Sequence, residues 1–124
     1  KYLERDIDGY PFDNFSVDSY SEADKTISLQ YNQVGLRRAR TTYYVRIDKK
    51  YKLLSYTSDK KEQTLFKFTK TAGGGLILAD QNGHYIAYTK SPIPGYALQY
   101  VVDPGATEKE AFIFYVDGFR GAPK

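Results

Sequence analysis

64-TLFKFTKTAGGGLILADQNGHYIAYTK-90 is the stretch on which the fold depends. Apolar residues alternate in it at Phe66 and Phe68, at Leu76 and Leu78, and at Ile86 and Tyr88, with Gly73-Gly74-Gly75 and Asn82-Gly83 between the runs. A period of two broken by glycine-rich joints is the pattern of half-buried strands linked by tight turns. Residues 64–90 are therefore expected to form three strands and two turns.

The same pattern extends in both directions. Upstream, residues 58–63 are a polar run, and residues 42–47 and 51–57 are β-branched and aromatic strands around the Asp48-Lys49-Lys50 turn. Before them come a short basic strand at 36–40 and two alternating strands, 15–20 and 26–31, separated by a polar turn at 21–25. The first fourteen residues offer one short strand and a loop, marked by Asp8-Gly9 and Pro11. Downstream, Ser91-Pro92-Ile93-Pro94-Gly95 is a firm loop, 96–102 a strand, Asp103-Pro104-Gly105 a turn, 111–116 the most apolar strand, and 117–124 a coil. About ten short strands and no helical period predict an all-β protein.

With 124 residues, 41% of them hydrophobic, the chain is expected to form one domain, 1–124, around its own core. It contains no cysteine, so disulfides and thiolate metal sites are excluded. A start at Lys1 without any methionine is more easily explained by removal of an N-terminal segment, or by trimming of the chain, than by a native cytosolic start, and the expectation is a secreted protein. Asn14-Phe15-Ser16 is a glycosylation sequon that matters only in a eukaryotic secreted chain. No apolar run approaches the roughly 20 residues of a membrane span. The net charge of +3 is unevenly spread: residues 4–24 hold seven acids against Arg5, and residues 37–61 hold nine bases against Asp48 and Asp59.

Compared with itself, the chain repeats. Ile27 and Leu29 align with Leu76 and Leu78 at an offset of 49, and Phe66 with Phe114 at an offset of 48. The unit is a Lys-Glu loop, a Phe-x-Phe strand, a turn, an apolar strand, a second turn and a Tyr-bearing strand. In Leu65-Phe66-Lys67-Phe68, Gly75-Leu76-Ile77-Leu78 and Asn82-Gly83-His84-Tyr85-Ile86 it resembles the repeat of the β-trefoil superfamily, which includes ricin-B-type lectins, fascins and fungal trefoil lectins and protease inhibitors. The resemblance implies a β-trefoil-like fold with internal repeats and a carbohydrate-binding or inhibitory role. Two departures are plain: the Gln-x-Trp triplet of ricin-type lectins is absent, and a third copy has to be assembled from the two chain ends. The alternative all-β architecture is an Ig-like β-sandwich, whose strand spacing is similar.

No catalytic pattern stands out. His84 is the lone histidine, no nucleophile elbow accompanies it, and its place beside Asn82-Gly83 is a poor one for a buried base. The triple glycine lacks a following Lys-Ser/Thr and leads into a strand, so it is not a phosphate cradle. The expectation is a non-enzyme without metal or cofactor. Thirteen tyrosines and no tryptophan leave tyrosine to supply any ring that stacks on a sugar. The densest group of tyrosine beside polar residues is Asp80, Asn82, His84, Tyr85 and Tyr88, the candidate ligand site. The expected partner is a glycan or glycoprotein, or a target protein engaged by the 91–95 loop. Tyr43, Tyr44, Tyr51 and Tyr56 interleave with the basic residues of 37–61 as in single-strand binders, but so mild a net charge predicts no strong nucleic-acid binding. Nothing in the residues sets an oligomeric state.

Overall fold

The structure is a computed structural model that describes residues 14–34, 40–116, 118 and 119. Its strands are β1 (Asn14–Ser21), β2 (Thr26–Val34), β3 (Arg40–Ile47), β4 (Leu54–Thr57), β5 (Phe66–Lys70), β6 (Leu76–Ala79), β7 (Tyr85–Lys90), β8 (Leu98–Asp103) and β9 (Ile113–Phe114), with one 3-10 turn at Lys60–Glu62. The protein is all-β. The short strand expected before Asn14, residues 36–39 of the basic strand and most of the tail lie outside the described residues.

All nine strands belong to one antiparallel sheet, in the order β4-β3-β2-β5-β6-β7-β8, with β1 added to β2 and β9 to β6. Its two ends meet. Leu53 bridges to Val101, and the Val102 amide donates to the Lys52 carbonyl at 2.9 Å, so the sheet is nearly closed into a barrel. Closure hides strand edges that would otherwise recruit other chains. One curled sheet replaces the two facing sheets of the Ig-like alternative, which the topology contradicts.

The alternation read from the sequence explains the inside of this barrel. In β5, Phe66 and Phe68 are buried while Lys67 is exposed, as a period of two requires. β6 is buried along its whole length, since β5, β7 and β9 all pair with it. Ile27, Leu29, Val45, Leu54, Ile86, Tyr100 and Phe114 complete the main core, against which Phe112 is half-buried. Five tyrosines serve that core: Tyr31, Tyr43 and Tyr56 form one ring cluster, and Tyr88 and Tyr100 join Phe112 in another.

Three strands are shorter than their composition suggests, each for a local reason. The expected strand at 51–57 loses its first residues because the Asp48 carboxylate accepts from the Lys50 and Tyr51 amides, at 3.1 and 2.8 Å, and stretches the turn to Lys52. That at 96–102 starts at Leu98, since the Ser91 amide donates to the Ala97 carbonyl at 2.8 Å and keeps Tyr96 in the loop. The expected apolar strand at 111–116 shrinks to Ile113–Phe114. There the Phe112 amide donates to the Ile86 carbonyl at 2.9 Å, so the chain crosses β7 before it can join β6.

Candidate functional site

The turn between β6 and β7 gathers four of the five expected ligand residues, and its bonds explain its shape. Asp80 Oδ1 accepts from the Asn82 and His84 amides, both at 2.9 Å, while the Gly83 amide donates to the Asp80 carbonyl at 3.0 Å. Gly83 has φ of 82°, a left-handed value that glycine adopts without a Cβ penalty. The turn between β5 and β6 is wired in the same way: Thr71 Oγ1 accepts from the Gly75 amide at 3.0 Å, and the Gly74 amide donates to the Thr71 carbonyl at 3.2 Å. Asp80 therefore does a turn-forming task that a threonine hydroxyl performs one hairpin earlier. Its second oxygen, Oδ2, lies 3.8 Å from His84 Nδ1, an ion pair only when the imidazole is protonated.

The strand that leaves this turn separates the two tyrosines. Tyr85 and Tyr88 are both half-buried. Tyr88 shares the inward face of β7 with the fully buried Ile86, and its ring lies 5.0 Å from Tyr100 and 5.9 Å from Phe112. Tyr88 is core-directed. Asp80, Asn82, His84 and Tyr85 stay together at the turn, where Asn82 is exposed and Gln81 is tied back to the Leu65 carbonyl through Nε2.

A different concavity lies where the β4–β5 connection crosses β3. Asp59 Oδ1 accepts from the Lys61 amide at 3.0 Å and starts the 3-10 turn, after which Thr64 pins the chain to β3 twice. Its amide donates to the Val45 carbonyl at 3.0 Å, and its Oγ1 accepts from the Ile47 amide at 2.8 Å. Because Val45 points into the core, the next residue, Arg46, points outward beneath the connection. The resulting cleft of about 460 Å³ is lined by Arg46, Ile47, Lys49, Lys61, Glu62, Gln63 and Thr64. Arg46 is also one wall of an adjoining cleft of about 430 Å³, whose other walls are Tyr43, Tyr56, Thr57 and Ser58.

Polar groups in the first of these clefts are incompletely satisfied. Arg46 Nε and Gln63 Nε2 are shielded from solvent and have no hydrogen-bond partner among the described residues. Among the described carboxylates the Arg46 guanidinium reaches only Glu62, with Nη1 3.8 Å from Oε1. Lys60 is engaged by Asp18 at 3.3 Å and lies over the Tyr44 ring, whereas Lys49 and Lys61 make no ion pair among the described residues. The sequence shows 37–61 to be basic and aromatic but not which members converge, because Gln63 and Thr64 lie 16 residues or more from Arg46 and Ile47.

The remaining candidate is the loop of residues 91–97. Ser91 is buried, its Oγ bonds Gln99 Oε1 and accepts from the Ile93 amide at 3.0 Å, while Pro92, Pro94 and Tyr96 are exposed. Among the described residues no three His, Asp or Glu side chains converge as a metal site, and no helix is long and apolar enough to cross a membrane. In comparisons with known proteins, the chain matches no family model, no curated protein and no solved structure.

Proposed function

We propose that this protein is a secreted, non-catalytic carbohydrate-binding module with a β-trefoil-like repeated architecture. The observation that carries the functional reading is the cleft walled by Tyr43 and Tyr56 and edged by Arg46, Thr57 and Ser58. Aromatic faces beside hydroxyl and guanidinium donors suit a sugar ring, which has an apolar face and a polar rim. The architectural reading is supported by one pair of contacts that recurs at the repeat offset and by a second whose donors keep that offset while its acceptors, Val45 and Ile86, lie 41 residues apart. Ile27 pairs with Phe66, and their counterparts Leu76 and Phe114 pair with each other. Thr64 donates its amide to buried Val45, and Phe112, 48 residues on, donates to buried Ile86. A four-strand unit, β1–β4, then corresponds to β5–β8, and β9 opens a third.

Binding to a glycan array, followed by titration of the best oligosaccharide into two variants, tests the reading. Ser58→Trp fills the aromatic cleft from an exposed position and is expected to weaken binding at least tenfold, while the thermal midpoint stays put. Asn82→Ala with His84→Ala tests the β6–β7 turn, and a loss there instead moves the sugar site to Asp80, Asn82, His84 and Tyr85. An array with no bound glycan overturns the carbohydrate reading. In that case the second reading is engagement of a target protein, such as a protease, by the 91–97 loop, favoured by the bonds from Ser91 that hold Pro92 and Pro94 outward.

A further inference from the structure

The cleft beneath the β4–β5 connection contains donors and cations in excess of acceptors. Arg46, Lys49 and Lys61 bring three positive charges to its walls against the single carboxylate of Glu62. Two N–H donors, Arg46 Nε and Gln63 Nε2, are buried without an acceptor among the described residues. Leaving such groups unpaired is unfavourable, and native proteins keep few of them unless a ligand, ion or water completes the set. The chemistry that matches these groups is that of an oxygen-rich anion. A metal cation or an ammonium group would meet the wrong sign of charge, and an apolar ligand would leave the donors as they are.

We propose that this cleft is an oxyanion site, taking a sulfate, phosphate or carboxylate group either as the free ion or as the charged substituent of a saccharide seated against Tyr43 and Tyr56. The saccharide part rests on the carbohydrate reading; the oxyanion part does not. Guanidinium offers a planar edge of donors to two oxygens at once, Gln63 adds a third neutral donor, and the two lysines contribute charge at the rim. Among the described residues no hydrogen bond holds the guanidinium away, since the pair with Glu62 is 3.8 Å long. Rotation of the side chain can present its Nε edge to a ligand. Because Arg46 walls both clefts, a sugar ring over the tyrosines places a substituent at the cationic side.

The test is a titration of the intact chain, followed through the Arg46 Nε–H and Gln63 side-chain amide resonances. Sodium sulfate, phosphate and acetate are compared with sodium chloride at equal ionic strength. The expected result is a saturable shift of both resonances with a midpoint in the millimolar range, weakened at least tenfold in Arg46→Gln and at least threefold in Lys49→Gln/Lys61→Gln. The lysine pair is exposed, so it keeps the test decisive if the arginine variant folds poorly. Linear, unsaturable shifts spread over all basic side chains, or unchanged binding in both variants, would overturn the site. A sulfated disaccharide is then compared with its desulfated form. Binding at least tenfold tighter than both the desulfated sugar and free sulfate supports the saccharide as carrier. Binding no tighter than free sulfate retains the oxyanion site and removes the saccharide from it. A single-stranded oligonucleotide that outcompetes the sulfated disaccharide likewise rejects the saccharide as carrier.

Discussion

The β6–β7 turn and the cleft beneath the β4–β5 connection are both polar, and they differ in whether their polar groups have partners. At the turn, Asp80 spends one carboxylate oxygen on two amides of its own hairpin, and Thr71 shows that the same geometry is reached without a charge. In the cleft, Arg46 Nε and Gln63 Nε2 are brought out of water with no acceptor among the described residues. A polar side chain with its bonds made is accounted for by folding. One left unpaired at a concave, charged surface calls for a ligand.

The largest expected effect tests the frame that holds the cleft. Phe66 is fully buried, pairs with Ile27, and begins the strand reached two residues after Thr64 fastens the chain to Val45. Phe66→Ala should cost about 3–5 kcal/mol in urea unfolding. A cost below about 1 kcal/mol would show that the cleft is held by something other than the core. Next in size is Asp80→Ala, which removes the acceptor of two backbone amides and should cost about 1–2 kcal/mol, with faster hydrogen exchange at His84. Thr71→Ala should cost about 1 kcal/mol by the same route. If Asp80→Ala proves neutral for stability yet removes glycan binding, the comparison reverses and the turn is the functional element.

How far the sequence showed this contrast depends on how local each feature is. The central strands β5, β6 and β7 were legible because alternation and turn residues act over a few positions, and Phe66, Leu76 and Ile86 lie inside as the period requires. The closure through Leu53 and Val101 was not, since one bridge between residues 48 apart leaves no periodic trace. The Asp80 group is conspicuous because its members lie within nine residues of one another, and polar residues clustered at Asn-Gly are what a turn needs for its own sake. Tyr88 stands apart from that group because a residue three positions beyond Tyr85 falls on the opposite, inward face, as the alternation of the strand implies. Arg46 and Gln63 were missed because neither is unusual in sequence. Their significance lies in a bond that is absent, and only the folded arrangement reveals that.

Acid titration extends the comparison to a carboxylate whose partners are local. The Thr107 amide donates to Glu110 Oε1 at 2.8 Å and the Thr107 hydroxyl at 3.0 Å, and these bonds, the backbone one first, hold the Glu110 carboxyl below its ordinary value of 4.5. A carboxylate with a depressed folded pKa adds stability that is present above the unfolded value and is lost as pH falls through the folded one. Stability should therefore begin to drop as the pH goes below about 4.5, and Glu110→Gln should flatten that acid limb slightly. The Thr107–Glu110 turn, being exposed, should account for only a small part of the whole decline. An acid limb unchanged by the substitution would remove Glu110 from the set of locally satisfied groups.

The smallest expected change in stability is the sharpest test of the contrast, because its sign should be unusual. Gln63→Leu keeps roughly the same volume while deleting an amide donor that is buried and unbonded. Most substitutions at half-buried positions destabilise a protein, by about 0.5–3 kcal/mol. Here the folded state sheds a desolvated donor and gains apolar contact with the wall at Ile47, so the thermal midpoint should stay within about 1 °C of the parent or rise. The same variant should bind sulfate several-fold more weakly, since the donor lost from the fold is one the anion uses. A polar residue whose removal helps folding and harms binding is what an unsatisfied ligand group predicts. If Gln63→Leu instead lowers the midpoint by several degrees, the side chain has a structural partner, and the cleft resembles the β6–β7 turn after all.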